Sequence, residues 1–466
     1  MASAHVLDTW EPEDPAFWNA SGKRIANRNL WLSIPALLLA FAVWMVWSVV
    51  VVNLPNIGFK FNTGELFWLA ALPALCGATL RIFYSFMVPI FGGRRWSAIS
   101  TASLLLPTLG IGMAVQDVST PYSSFVVLAL LCGFGGGNFA SSMANINFFF
   151  PKAQKGIALG LNAGLGNLGV SVVQFVVPLV ITAGVFGALG GEAQTWTNLA
   201  KGASDSKPMW LQNAGYIWVP FIALSALGAW FGMHDLASAR ASFSEQAVIF
   251  KRKHNWLMCW LYLGTFGSFI GYSAGFPLLI KSQFPGVNAL SYAFLGPLVG
   301  ALIRPVGGWL SDKVGGAAVT FWNFIAMAAA VLGVLYFLPS GPSAGNFYGF
   351  LAMFMLLFAT SGLGNGSTFR MIPVIFLTGQ QRLACSQGPI AKEQALKNAN
   401  KEAAAVLGFS SAIGAYGGFF IPKSYGTSIS MTGGPEAALY GFIVFYLSCI
   451  VITWWYYSRH NAEMPC

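Results

Sequence analysis

The chain has 466 residues, of which 56% are hydrophobic and only 9% are charged, and its formal net charge is +10. A water-soluble domain carries roughly a quarter charged residues, so this composition excludes an ordinary soluble protein and indicates that lipid is the main solvent. The basic residues lie in short clusters between apolar stretches and not on one folded face, which argues against nucleic-acid binding.

Twelve apolar stretches are long enough to cross a membrane, since a helix needs roughly 20 residues to traverse about 30 Å of hydrocarbon. The predicted spans lie near residues 30–54, 65–90, 96–115, 122–150, 157–188, 214–232, 255–280, 287–310, 317–338, 346–376, 403–422 and 436–457. The polar segment 377–402 is expected to add a surface helix that leads into span eleven.

The distribution of basic residues predicts the orientation, because the cytoplasmic segments of membrane proteins are enriched in Lys and Arg. With the N-terminus inside, the cytoplasmic segments hold 17 of the 25 basic residues, whereas the external segments hold five. We therefore expect both termini to lie in the cytoplasm.

The two halves of the chain repeat one another. When the second half is aligned with the first, Arg81 and Gly92–Gly93 fall on Arg304 and Gly315–Gly316. With a slightly larger offset, Gly135, Gly137 and Asn138 fall on Gly362, Gly364 and Asn365. Six spans duplicated in parallel are typical of transporters whose halves move around a central site.

The predicted fold is thus an all-α membrane protein of two six-helix bundles. Its predicted divisions are an N-terminal tail (1–29), a first bundle (30–232), a central cytoplasmic loop (233–254), a second bundle (255–457) and a C-terminal tail (458–466).

Two arginines are predicted near the middle of the membrane. Arg81 precedes the Gly92–Gly93 turn by the same interval as Arg304 precedes the Gly315–Gly316 turn. At a rise of about 1.5 Å per residue this interval spans about 16 Å, which is close to half of the hydrocarbon thickness. An arginine near a helix end can extend to the interface, but at the centre of the bilayer its charge is expensive and usually functional.

No acidic residue and no histidine lies in the interior of a predicted span, since the acidic residues fall in tails, in loops or at span borders, as Glu65 and Asp312 do. The two central arginines therefore lack a counter-charge, and a mobile anion is the simplest group that could neutralise them. Arginine keeps its charge, and its planar fork suits a planar oxyanion better than a lysine does. Arg370 lies closer to the cytoplasmic end of span ten, so it either extends to the interface or lines the inward path.

The sequence shows no chemistry of another kind. The six cysteines form no CxxC pattern and have no neighbouring histidines, so we expect no metal site and no cofactor. The spans contain no interior acid–base or nucleophile–histidine pair, so we expect no catalytic residue and no enzyme. An ion channel remains an alternative to a carrier, and conductance recordings distinguish the two.

Several motifs resemble the nitrate/nitrite porter family of the major facilitator superfamily, and in particular the bacterial NarK-type exchangers. These motifs are WEPEDPAFW (10–18), GGWLSDKVGG (307–316), AGLGNLGVS (163–171) and GFSSAIGAYGG (408–418). The first-half segment PIFGGRRW (89–96) lacks the aspartate of the superfamily's loop signature. The resemblance implies the major facilitator fold, residence in a bacterial inner membrane and transport of nitrate and nitrite.

The resemblance also implies roles for individual residues. Arg81 and Arg304 would clamp the anion, and Gly164 and Gly408 would belong to helices that slide past one another. The site would be walled by Phe41, Phe139, Tyr262 and Phe266, with polar contact from Asn167. Two residues depart from the family pattern, since Tyr416 stands in place of a smaller aliphatic residue and Arg370 in place of a glutamine.

The prediction is a secondary transporter that exchanges nitrate for nitrite by alternating access. Small inorganic anions and the lipid bilayer are the expected partners, nucleic acid is not, and a monomer is the expected functional unit. Two alternatives stay open within transport: proton-coupled nitrate import, and transport of another small inorganic anion.

Overall fold

The structure is a computed structural model that describes residues 5–199, 202–237, 247–340, 343–383 and 389–466. Within these residues, twelve helices are long and apolar enough to cross a membrane. They are α1 (Pro15–Ile57), α2 (Thr63–Tyr84), α3 (Gly93–Ala114), α4 (Tyr122–Phe149), α5 (Ala153–Val180), α6 (Asn213–Gly232), α7 (Lys253–Gln283), α8 (Ala289–Val314), α9 (Gly316–Phe337), α10 (Phe347–Leu383), α11 (Glu402–Thr432) and α12 (Glu436–Ser458).

The twelve predicted spans are confirmed, and the differences lie at their ends. Helix α1 begins at Pro15, well before the predicted residue 30, because the carboxylate of Asp14 caps it by accepting from the backbone N–H of Ala16 at 3.0 Å. The segment 377–402 was expected to form a surface helix before span eleven. Its residues 377–383 end α10, residues 384–388 lie outside the described part of the chain, and residues 389–402 belong to a helix over Pro389–Ala415 that includes the start of α11.

Glycines bring matched helices together in the two bundles. A methyl group on Gly77 of α2 would lie 3.0 Å from the Cα of Gly136 in α4. In the second half, a methyl group on Gly362 of α10 would lie 2.1 Å from the carbonyl oxygen of Gly300 in α8. Small residues allow membrane helices to approach this closely. The internal repeat therefore corresponds to a repeated crossing of the second and fourth helices of each bundle.

Because twelve spans place both chain ends on the same side of the membrane, we call that side the terminal side. The two bundles touch mainly on the opposite side, which we call the loop side. Ser171 of α5 donates to the carbonyl oxygen of Phe294 in α8 at 3.0 Å. Gln174 donates to the carbonyl oxygen of Ser273 in α7 at 2.7 Å. These hydrogen bonds hold the first bundle against the second on the loop side.

The bundles are parted towards the terminal side. A methyl group on Gly160 or Gly164 of α5, or on Gly408 of α11, would have no atom of another segment within 4 Å among the described residues. The interface between the two bundles, which we call the seam, is therefore closed at the loop side and leaves open space beside these glycines.

A β-hairpin on the loop side was not predicted. Strands β2 (Gln194–Asn198) and β3 (Gly202–Met209) pair antiparallel in the long loop between α5 and α6. On the terminal side, the short strands β1 (Val6–Leu7) and β4 (Asp235–Leu236) pair in parallel. The second pair joins the start of the chain to the segment that follows α6.

Asp235 supplies the carboxylate that segment 89–96 lacks. Its Oδ1 accepts from the backbone N–H of Arg94 at 2.7 Å, and its Oδ2 lies 3.3 Å from the Arg94 guanidinium. Gly92 has φ +88°, and a methyl group there would lie only 2.5 Å from Asp235 Oδ1, so glycine is required at this turn. A residue distant in sequence thus caps the start of α3.

The second half caps the start of α9 at the corresponding position. Ala317 follows the Gly315–Gly316 turn as Arg94 follows Gly92–Gly93, and its backbone N–H donates to the carbonyl oxygen of Cys466 at 3.0 Å. In each bundle, then, the segment after the sixth helix returns to cap the third helix.

Replacing Asp235 with alanine is expected to destabilise the first bundle by about 3 kcal/mol or more, because it leaves a buried guanidinium without its partner. The matched control is Asp312→Ala, which removes the exposed partner of Arg370 and should cost below about 1 kcal/mol. Unfolding midpoints of the purified variants in detergent measure both effects. Equal midpoints for the two variants would contradict a capping role for Asp235.

Candidate functional site

Arg81 lies between the two bundles. Only 1% of its surface is exposed. Its Nε donates to the carbonyl oxygen of Gly136 in α4 at 2.8 Å, and its Nη1 donates to the carbonyl oxygen of Ser411 in α11 at 2.9 Å. Its Nη2 is buried without a hydrogen-bond partner among the described residues. The side chain is therefore held by both bundles and keeps free donor capacity.

Arg304 of α8 is also buried, and its Nη1 has no hydrogen-bond partner among the described residues. The charge of Arg304 lies close enough to act on Arg81. In the part of the chain that the structure describes, no ion pair includes either arginine. Two positive charges thus stand near each other with unpaired N–H groups and no carboxylate.

Aromatic rings surround the guanidinium of Arg81. Its central carbon lies 4.6 Å from the ring centre of Phe139, 5.0 Å from that of Trp44 and 5.2 Å from that of Phe266. Aromatic faces attract a cation, so the rings offset part of the lost hydration without neutralising the charge. The guanidinium of Arg304 lies 5.4 Å from the ring centre of Phe369.

A turn of π-helix in α7 shapes the part of this helix that lines the site around the arginines. Residues Leu263–Gly267 form this turn, directly after Tyr262. The rings of Tyr262 and Phe266 stack with centres 5.4 Å apart, and Tyr262 interacts electrostatically with both arginines. Single π-turns inside α-helices are frequent at functional sites because they redirect side chains.

The structure brings together most of the residues that the sequence predicted for the site. Phe41 packs edge-on against Phe139, with ring centres 6.0 Å apart, and so supports the ring that covers Arg81. Asn167 of α5 is buried, and its Oδ1 has no partner among the described residues. Gly408 lies one turn before Ser411 and accepts from its hydroxyl at 2.8 Å.

Trp44 and Phe369 were not predicted from the sequence. Trp44 follows Phe41 by three positions, so their placement on one helical face was a usable signal. The indole N–H of Trp44 donates to the carbonyl oxygen of Pro73 at 2.8 Å, which fixes the ring beside Arg81. No sequence pattern distinguished Phe369 from the other aromatic residues of its span.

The two departures from the family pattern both make contacts. Arg370 forms an ion pair with Asp312, and both side chains are partly exposed, so its charge is compensated within its own bundle. The hydroxyl of Tyr416 in α11 hydrogen-bonds the hydroxyl of Thr79 in α2 at 2.8 Å. A smaller aliphatic residue in place of Tyr416 could not form this link between the bundles.

This arrangement can bind a small anion but offers no catalytic groups. Free N–H donors on two arginines can bind oxygen atoms, and the adjacent ring faces favour a flat molecule. Among the described residues, no group of His, Cys, Asp and Glu could hold a metal ion. Two six-helix bundles that meet around such a site define a polytopic membrane transporter.

Comparison with known proteins agrees with this class. The Major Facilitator Superfamily model matches residues 36–383. A bacterial homologue of the human lysosomal transporter Spinster, solved in an inward-facing and occupied conformation, has a similar fold, with a TM-score of 0.61 and 14% identity over 91% of this chain and 95% of that chain.

Closer relatives narrow the assignment. The nitrate/nitrite transporter NarU of Escherichia coli is 55% identical over 98% of this chain and 97% of its own length. The probable nitrate/nitrite antiporter NarK2 of Thermus thermophilus is 44% identical over 99% and 98% of the two chains. The chain belongs to the Major Facilitator Superfamily and, within it, to the nitrate/nitrite porter family.

Arg81→Lys and Arg304→Lys are each expected to weaken anion binding by at least tenfold although the charge is kept. An ammonium cannot reproduce the planar fork, and at Arg81 it cannot reach two carbonyl oxygens and an anion together. Arg370→Lys is the matched control, since that arginine is paired outside the site. Calorimetric titration of the purified variants with nitrate measures the affinities, and wild-type affinity in either central variant would contradict the assigned role.

Proposed function

We propose that this protein exchanges nitrate for nitrite across a bacterial inner membrane by alternating access, with the anion held between Arg81 and Arg304. One observation carries the proposal: each arginine is buried with an unpaired N–H group, and no described ion pair neutralises either one. The names of the relatives from Escherichia coli and Thermus thermophilus support nitrate and nitrite as the anions.

The charge of the empty site favours exchange over one-way transport. Arg81 and Arg304 are already buried in the present state, and closing the second side as well would shield two unpaired charges further from water, which adds to the cost of an empty site. A bound anion removes much of that cost. The carrier therefore returns quickly when it is loaded and slowly when it is empty, which is the behaviour of an exchanger.

The shape of the site favours planar monovalent anions. Phe139, Trp44 and Phe266 lie 4.6–5.2 Å from the guanidinium of Arg81 and so contact it directly. An anion must therefore approach the N–H edge of a planar donor that is flanked by aromatic rings. Nitrate is flat and nitrite is bent within one plane, whereas phosphate and sulfate are tetrahedral. Both substrates also carry one negative charge, so they neutralise the site equally.

The contacts between the bundles support alternating access. The loop side is closed by the hydrogen bonds of Ser171 and Gln174, while Gly164 and Gly408 have open space. In the opposite state the terminal side closes, and these glycines then allow α5 and α11 to approach closely. Residues 30–232 and 255–457 are the two moving bundles, and both chain ends face the cytoplasm. The site lies within one chain, so a monomer suffices.

Counterflow from proteoliposomes tests the exchange. Vesicles preloaded with labelled nitrate should release it several-fold faster when nitrite or nitrate is present outside than when sulfate or phosphate is present. Empty liposomes and the Arg304→Lys variant serve as controls. Equal release with and without external nitrite contradicts exchange, and a large conductance in planar bilayers contradicts a carrier.

Gly164→Leu and Gly408→Leu are expected to fold and to bind nitrate but to lose most of the exchange rate. The present state has room for a side chain at both positions. In the proposed state closed at the terminal side, α5 and α11 approach closely and leave no such room. Gly286→Leu, a loop-side glycine that also has open space, is the matched control. Nitrate binding and counterflow are measured in the same preparations, and wild-type counterflow in both site variants would remove the proposed helix approach.

One-for-one exchange is expected to move no net charge and to be insensitive to membrane potential. The described spans hold no acidic side chain beside the arginines that could carry a proton, and nitrate and nitrite have equal charge. Exchange rates in vesicles clamped with potassium and valinomycin at two potentials provide the measurement. A several-fold change with potential, or proton uptake with nitrate, would favour proton-coupled import instead.

A further inference from the structure

Lys281 occupies the seam between the bundles on the loop side. It lies near the end of α7, and its ammonium donates to the carbonyl oxygen of Val52 and to Oδ1 of Asn56, both in α1. No described ion pair includes Lys281. The other described loop-side lysines, Lys60, Lys207 and Lys423, are exposed at the surface.

The acceptor that faces Lys281 is fixed from behind. Asn56 is buried, and its amide nitrogen donates to the carbonyl oxygen of Thr197 in β2 at 2.8 Å. An amide whose nitrogen is bound in this way presents its oxygen on the other side. The β-hairpin therefore orients Asn56 so that its oxygen meets the ammonium when the bundles are together.

Neutral acceptors make this contact reversible. A carboxylate would bind the ammonium more strongly and would also neutralise its charge, since hydrogen bonds between charged groups are the stronger ones. Val52 and Asn56 satisfy the donors of Lys281 but leave its positive charge in place. When the loop side opens, α7 moves away from α1, and the ammonium is released into the mouth of the opening with its charge intact.

We propose that Lys281 is a further anion-recognition residue, which attracts the substrate to the loop-side entrance when that side is open and is covered by Val52 and Asn56 when it closes. The proposal rests on the exchange function proposed above. A cation in a narrow entrance raises the local concentration of anions and their rate of association, and salt weakens the effect. The same side chain would therefore attract anions to the entrance when the loop side is open, and would hold the two bundles together when the loop side is closed.

Two variants separate the attraction of anions by the charge of Lys281 from its contact with α1 in the closed seam. Lys281→Met removes the charge and the seam contact together, whereas Asn56→Leu removes one acceptor and keeps the charge. Lys423→Met is the matched control, because Lys423 is an exposed loop-side lysine that lies against Trp68. The probe is nitrite, and the measurement is the KM for exchange from each side at low and high salt in right-side-out and inverted vesicles. Accessibility of a C-terminal tag shows which side each preparation exposes.

At low salt, Lys281→Met is expected to raise the KM from the loop side about three- to tenfold and to leave the KM from the terminal side unchanged. At high salt the difference from wild type should shrink. Asn56→Leu should not raise the loop-side KM, and Lys423→Met should behave as wild type. An equal change on both sides, or the same rise in Asn56→Leu as in Lys281→Met, would overturn the proposal.

Wild-type protein provides a test that does not depend on folding of the variants. Its loop-side KM should rise with salt, and a loop-side KM that does not depend on salt would again overturn the role of Lys281. Absence of any exchange in the wild type would instead reject the proposed function itself. The two failures are therefore distinguishable.

Discussion

The protein is organised around two positive charges that have no negative partner in the part of the chain that the structure describes. Arg81 and Arg304 are buried between the bundles, and their surroundings offer carbonyl oxygens and aromatic faces but no described ion pair. Dipoles and rings reduce the cost of burying a guanidinium without cancelling its charge. The site therefore remains attractive to an anion, which a carboxylate within contact would have prevented.

The sequence predicted the parts of this arrangement that follow from composition and periodicity. Apolar length indicated the twelve spans, and the absence of acids from the interiors of the predicted spans isolated Arg81 and Arg304. Helical rise also predicts equal depths in the membrane for the two arginines, and this stays a prediction. These features are local or depend on a simple count, so no knowledge of packing was needed.

Features that depend on contacts distant in sequence were not predictable in the same way. The partner of Arg94 is 141 residues away, and Phe369 acquires its role only because α10 packs beside Arg304. The β2–β3 hairpin lies in a polar loop without a strong alternating pattern. Arg370 had two open interpretations because its partner, Asp312, lies in another helix.

The two arginines are equivalent in sequence but not in bonding. Arg81 is fixed by one carbonyl oxygen in its own bundle and one in the other, at 2.8 and 2.9 Å. Its bond to Ser411 crosses the seam and so depends on the relative position of the bundles, whereas its bond to Gly136 does not. The direction of the remaining Arg81 donor can thus change with conformation while the side chain stays in place.

The capping of α3 by Asp235 and of α9 by Cys466 has a mechanical consequence. In each bundle the segment after the last helix is fastened to the start of the third helix, so the third and sixth helices are tied together at the terminal side. Such a tie resists sliding between the two helices that it joins. In the alternating access proposed above, each bundle would then turn as a stiffer lever, so that a small displacement near the site becomes a wide opening at the far end.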